Sequence, residues 1–217
     1  MRTFGYPEFL FILEAARWTI ALSLIAFVGG AIGGLLVALA RTSDNAAARA
    51  AATAFVQVFQ GTPLLLQLFL VFFGAPVIGI DVNPWVAAGV ALILNTSAFL
   101  GEIWRGCIQA VPRGQWEAAD ALGLHYVARM RDVVLPQAFK IALAPTVGYM
   151  VQVIKGTSLA AIIGFTEVTR AGQIINNATF QPLVVFSLVA AIYFALCWPL
   201  SLLAGRMERR QARALAR

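Results

Sequence analysis

Five stretches of the sequence, at about 12–40, 55–74, 85–104, 139–164 and 183–203, are apolar almost throughout and about 20 residues long or longer. In a helix, about 20 such residues cross the hydrocarbon of a bilayer. Hydrophobic residues make up 60% of the 217 and charged residues only 12%, where a soluble domain carries about 25% charge. The chain is therefore expected to be an all-α membrane protein with five transmembrane helices, surrounded by lipid. Its length leaves little room for a separate soluble domain, so one transmembrane domain is expected over 1–217, with its core at about 13–206. Cys107 and Cys197 match no metal or redox spacing and read as packing residues.

The net charge of +6 raises the question of an anionic partner, and the placement of the charges answers it. Twelve of the 16 Lys and Arg fall in three places. Arg41 and Arg49 follow the first span; Arg105, Arg113, Arg129, Arg131 and Lys140 follow the third; Arg206, Arg209, Arg210, Arg213 and Arg217 form the tail. Arg2, Arg17 and Arg170 fall on the other side, and Lys155 lies inside a span. The positive-inside rule puts the three basic places in the cytoplasm, with the C-terminus there and, for an odd number of spans, the N-terminus outside. The basic excess is thus topology, with no nucleic acid implied. Arg2 followed by apolar residues resembles a secretory signal, but the first span is too long for one and shows no small-residue cleavage site. It is read as a mature span behind a short interfacial piece, where Glu14 and Arg17, three apart, are placed to pair.

Within that span Gly29, Gly30, Gly33 and Gly34 form two overlapping G-x-x-x-G pairs, which let another helix approach closely. The neighbour is either a helix of this chain or that of a second subunit. The second span carries Gln57, Gln60 and Gln67 on one helical face, with Pro63 expected to kink it. Amides at that depth face protein or a water-filled path, either as bonds between helices or as substrate contacts. The third span places Asn95, Thr96 and Ser97 near mid-bilayer, where a polar triplet lines a cavity or bonds its own helix. Glu102 and Arg105 read as a neutralising ion pair or a gate.

The fourth span is expected to be interrupted by Pro145, Gly148, Gly156 and Gly164. Lys155 lies about 25 Å beyond its cytoplasmic start at 1.5 Å per residue, so it either snorkels outward or lines a polar path. Thr157 and Ser158 lie beside it, and Glu167 and Arg170 fall in a loop leading to Asn176 and Asn177. These polar residues, Gln60, Gln67, Asn95, Thr96, Ser97, Glu102, Lys155, Thr157, Ser158 and Glu167, make up the candidate substrate path. The fifth span reads as a packing or lipid-facing helix. No enzyme constellation emerges, and His125 has no cysteine or carboxylate at a ligand spacing. No G-x-x-x-x-G-K-[ST] phosphate loop is present, so energy for transport must come from another chain or an ion gradient.

The cytoplasmic stretch EAADALGLHYVARMRDVVLP, 117–136, cannot sit in lipid although both flanks can. Its charges are spread at helical spacing, Gly123 breaks it and Pro136 closes it, giving two short helices at the membrane surface. Glu117, Ala118 and Ala119, then Gly123, then Val133, Leu135 and Pro136 resemble the EAA loop of the membrane subunits of bacterial ABC importers, with Val133 where isoleucine is usual. GTPLLLQLFLVFFG at 61–74, GQWEAADALGL at 114–124, LPQA at 135–138 and KGTSL at 155–159 are similar to the polar amino-acid permease branch. Gly156 and Phe99 depart from that pattern.

The resemblance implies a type I importer fold in a bacterial inner membrane, with a coupling-helix loop at about 106–136 docking on a cytoplasmic ATPase subunit through Glu117, Ala118, Ala119, Asp120 and Gly123. It implies two ATPase subunits that bind ATP and Mg, a second permease subunit, identical or similar, and an extracytoplasmic binding protein delivering an amino acid. This chain would hold no cofactor of its own. An ion-coupled transporter or channel subunit is the alternative.

Overall fold

The computed structural model describes residues 3–215, so Arg2 and Arg217 of the charge reading lie outside the described residues. The chain is helical nearly throughout, and its helices start where short polar side chains or proline allow. Helix α1 (Tyr6–Thr42) carries Pro7 in its first turn, and Glu8 accepts the Gly5 N–H at 3.1 Å. Helix α2 (Ala46–Gly61) is capped by Asn45, whose Oδ1 accepts from the N–H groups of Ala47 and Ala48. Helix α3 (Leu64–Val77) follows after two residues, and α4 (Pro84–Gln109) starts with Asn83 accepting from Val86 and Pro84 in its first turn. Helix α5 (Arg113–Ala121) lies in the loop after α4, and the single turn α6 (Tyr126–Ala128) runs through a π-helical turn, Arg129–Val134, into α7 (Leu135–Gly156). A 3-10 segment, Thr157–Ile163, continues α7; α8 (Val168–Thr179) and α9 (Pro182–Leu215) complete the chain.

Among the described residues, four helical stretches are long and apolar enough to cross a membrane: α1, α4, the run Tyr126–Ile163 and Pro182–Gln211. The fifth expected span is divided. Helices α2 and α3 meet at 101°, so Gln57, Gln60 and Gln67 do not share one helical face. Thr62 is extended and Pro63 has no N–H to donate, so the ladder stops at Gly61 instead of bending. The fourth span is more continuous than expected, since α7 carries Pro145 and Gly148 in its interior and changes only at Gly156, into 3-10 geometry that ends at Gly164 with φ +86°. Nor does Pro136 close the cytoplasmic stretch. The Leu135 N–H reaches back five residues to Met130 O, and this widened turn takes up Pro136 without a stop.

Helix α4 is the spine. Ala87, Ala88, Ala91, Leu92, Ala98 and Leu100 are all buried, and α1 packs along it through its glycines. A Cβ on Gly30 would lie 2.3 Å from Thr96 Cγ2, on Gly33 2.2 Å from Ser97 Oγ, and on Gly34 2.9 Å from Leu100 Cβ. The G-x-x-x-G pairs therefore serve packing inside this chain. Three apolar clusters stack along α1. Ile12 and Ala15 meet α8 and α9; Leu22 and Ala26 meet α3, α4 and the end of α7; Ala38 meets Ile108, Met130 and Val134 at the other end. Leu24, Val28, Ile32 and Leu36 of α1 and Phe194, Trp198 and Leu203 of α9 stay exposed, an apolar surface suited to lipid.

Glu14 and Arg17 form no ion pair among the described residues; the Arg17 guanidinium instead lies 4.9 Å from the centre of the Trp18 ring.

Candidate functional site

At the end of the molecule where Arg41, Arg49, Arg105, Arg113 and Arg131 gather, α5 stands out from the bundle on two short connections. Its fold is locally determined. Pro112 precedes its first turn, and Gly123 ends it at φ +71°. The Gly123 N–H donates to Asp120 O at 2.9 Å and the Leu124 N–H to Ala119 O at 3.1 Å, a Schellman cap that needs a residue at ease in the left-handed region. Ala119 is the one buried residue of α5, while Glu117, Ala118, Ala121 and Leu122 are exposed. The outer face of this helix is thus one acid on a small apolar patch.

Asp120 turns the other way and pairs with Arg129, whose guanidinium also lies over the rings of Trp116 and Tyr126, at 5.5 and 5.8 Å from their centres. One arginine therefore holds α5 against the foot of α7 by charge and by its planar face. Gln137 Nε2 adds a bond to Gln115 Oε1 at 3.1 Å. Arg129 had no spacing signal in the sequence, because its partners come from both sides of the Gly123 turn.

The mid-membrane candidates gather around the break between α2 and α3. Gln67 is buried, and its Nε2 donates to Phe59 O at 2.8 Å, Thr62 O at 3.0 Å and Thr62 Oγ1 at 2.9 Å. Asn95 Nδ2 donates to Gln67 Oε1 at 3.1 Å and to Phe59 O at 3.3 Å, and Gln60 Nε2 to Ala98 O at 3.2 Å. Gln67 and Asn95 thus take up carbonyls left without partners where α2 stops, while Gln60 ties α2 to the interior of α4. Ser97 Oγ donates to Ile93 O of its own helix at 2.7 Å, and Thr96 packs against Gly30. Glu102 bridges α1 and α4, held by Arg105 on its own helix and by Arg41 at 3.3 Å.

Lys155 is exposed, and among the described residues its ammonium makes no hydrogen bond or ion pair. Thr157 and Ser158 bond back to Ile154 O and Lys155 O, both at 2.7 Å. Glu167 does not sit in a loop with Arg170. It is the N-cap of α8, fully buried, with Oε2 and Oε1 accepting the N–H groups of Thr169 and Arg170 at 2.8 Å each. Tyr193 Oη donates to Glu167 Oε2 at 2.6 Å and the Val168 N–H to Thr19 Oγ1 at 3.3 Å, tying α1, α8 and α9 together at the end opposite α5. Burial pushes the Glu167 carboxyl above the usual range, against the donors from Tyr193, Thr169 and Arg170 that favour its ionised form. Tyr193 was missed in the sequence; its signal was a hydroxyl within an otherwise apolar span, which needs a partner.

Comparison with known proteins places this arrangement. The family described as binding-protein-dependent transport system inner membrane component matches residues 30–213. The probable amino-acid ABC transporter permease protein YckA of Bacillus subtilis is 35% identical over 205 residues, covering 94% of this chain and 91% of that protein. The glutamine transport system permease protein GlnP of Escherichia coli is 35% identical over 207 residues, covering 94% of each. The L-cystine transport system permease protein TcyB of Bacillus subtilis is 37% identical over 201 residues, 92% of this chain and 86% of that one. A chain from the crystal structure of an amino acid ABC transporter with histidines superposes with a TM-score of 0.87 at 32% identity, covering 96% of this chain and all of the other.

Proposed function

The chain belongs to the family of binding-protein-dependent transport system inner membrane components, and from that premise we propose that it is the permease subunit of an ATP-driven importer carrying a polar or charged amino acid into the cytoplasm. The observation that carries this reading is α5: a short helix with a sharp Schellman stop, clamped on one side by Arg129 and offering Glu117, Ala118 and Leu122 on the other. The relatives' names supply the substrate class.

In this reading α5 docks on a separate ATPase subunit, which binds ATP and Mg. The chain pairs with a second permease subunit of the same or similar sequence, and an extracytoplasmic binding protein delivers the substrate. Tyr126 Oη and Arg129 Nε are buried beside α5 with no hydrogen-bond partner among the described residues. The basic end lies in the cytoplasm and the N-terminus outside, a placement supported by the gathering of arginines around α5. Closure of the ATPase pair moves α5, and with it the foot of α7, so that the spans open alternately to the two sides. Of the path candidates, Lys155 and Gln60 keep exposed side chains, and we assign substrate contact to these. Gln67, Asn95, Thr96, Ser97, Glu102, Thr157, Ser158 and Glu167 hold the path's walls in shape.

The test is uptake into vesicles holding the chain with its candidate ATPase and binding protein. Glu117→Lys is expected to abolish ATPase capture and ATP-dependent uptake together while leaving the permease folded; if both survive, α5 is not the coupling element. Uptake that continues without ATP and collapses with an ionophore would replace the reading with an ion-coupled carrier.

A further inference from the structure

The lipid-facing surface of α9 does not end in a mixed polar face. Arg206, Arg209, Arg210 and Arg213 follow Leu203 by three, six, seven and ten residues, so all four lie on one side of the helix. That side continues the exposed stripe of Trp198, Leu202 and Leu203, and with Leu203 and Met207 the arginines border a shallow concavity of about 340 Å³. All four are exposed, and among the described residues none joins an ion pair. The acid of this run, Glu208, points to the opposite side. Gln211 lies there too and donates to Lys140 O at the foot of α7, which fixes the rotation of the helix and keeps the arginines turned outward.

Depth completes the argument. With the hydrocarbon ending near Leu203, a rise of 1.5 Å per residue puts Arg206 about 4.5 Å and Arg210 about 10 Å beyond it. The headgroup layer on each side is about 5–8 Å thick, and long arginine side chains reach back toward it. Arg213 is still within about a Debye length, roughly 8–10 Å, of that layer. We propose that the stripe is a binding site for anionic phospholipid, holding the phosphates of lipids whose acyl chains lie along Trp198 and Leu202. An acidic surface on a protein partner is the poorer fit, because α5 packs against the segment leading into α7, on the side toward which Gln211, not the arginines, is turned. The proposal rests on α9 crossing the bilayer and not on what is transported.

The test uses the whole chain in mixed micelles with equal parts phosphatidylglycerol and phosphatidylcholine, with retained lipids counted by native mass spectrometry. One arginine near a charged surface is worth roughly fivefold in binding, so the expected preference for phosphatidylglycerol is at least about fivefold, falling as salt rises. R206Q/R209Q/R210Q/R213Q should bring the ratio near one, the four-lysine counterpart should retain it, and R206Q/R210Q should fall between. Equal retention of the two lipids by the unaltered chain overturns the proposal, as does a glutamine variant that keeps the preference. A glutamine variant that keeps it but no longer captures the ATPase assigns the stripe to a protein partner instead.

Discussion

Asn95 Nδ2 donates to Gln67 Oε1 at 3.1 Å, joining two amides 28 residues apart, on α4 and α3, beside the break between α2 and α3. Between them they occupy Phe59 O and Thr62 O, carbonyls that a broken helix leaves bare. Asn95→Ala and Gln67→Ala should each lower stability by about 1–3 kcal/mol, the penalty for a buried polar group without a partner. Because they remove the same bridge, the double variant should lose clearly less than the sum. Thermal unfolding in detergent measures all three.

The α1–α4 contact predicts the opposite kind of failure. Gly30→Ala drives a methyl group into Thr96, and overpacking of this sort costs about 1–3 kcal/mol. Gly61→Ala meets nothing within 4 Å and should leave thermal stability unchanged or slightly improved. Similar melting temperatures for the two would mean that the close helix contact is not required.

Gly123 tests backbone and contact separately. A Cβ there meets nothing within 4 Å, yet φ is +71°. An L-residue in the left-handed region costs about 1–2 kcal/mol, so Gly123→Ala should weaken capture of the ATPase about 5–30-fold. Asn, which tolerates this conformation better, should lose less at the same position. Equal losses for Ala and Asn would point to a contact with the partner in place of the turn.

Glu167 makes stability depend on pH. Burial raises its folded pKa above the ordinary 4.5, so between the two values the folded protein holds a proton that the unfolded one has released. The resulting stabilisation is complete below 4.5 and declines as pH rises through the folded value. Melting temperature should therefore fall across that window in the unaltered chain, and Glu167→Gln should remove this component of the slope. A slope of the opposite sign would mean that the bonds from Tyr193, Thr169 and Arg170 outweigh burial.

The membrane spans and the α5 loop could be read from the sequence because each is coded by neighbours along the chain: apolar length for the spans, the EAA spacing with Gly123 for the loop. The division of the second span was also written locally, in Gly61, Thr62 and Pro63, but a proline alone does not separate a kink from a stop. That difference depends on whether side chains elsewhere can satisfy the freed carbonyls, and here Asn95 can. Pairings of this sort were not legible. Asn95 with Gln67, Tyr193 with Glu167 and Arg129 with Trp116 each join different elements, and periodicity gives the face of a helix without naming what lies opposite it.

The run from Tyr126 to Ile163 is helical without a gap over 38 residues, which at 1.5 Å per residue makes a strut of roughly 57 Å. Such a strut multiplies displacement: a tilt of about 5° at its foot sweeps its far end through about 5 Å over that length. Its far end meets Gly164, and three residues later Glu167 begins the tie to α1 and α9. In the proposed mechanism a small stroke at the Arg129 clamp would reach the opposite face enlarged, at the buried Glu167 that ties α1, α8 and α9 together.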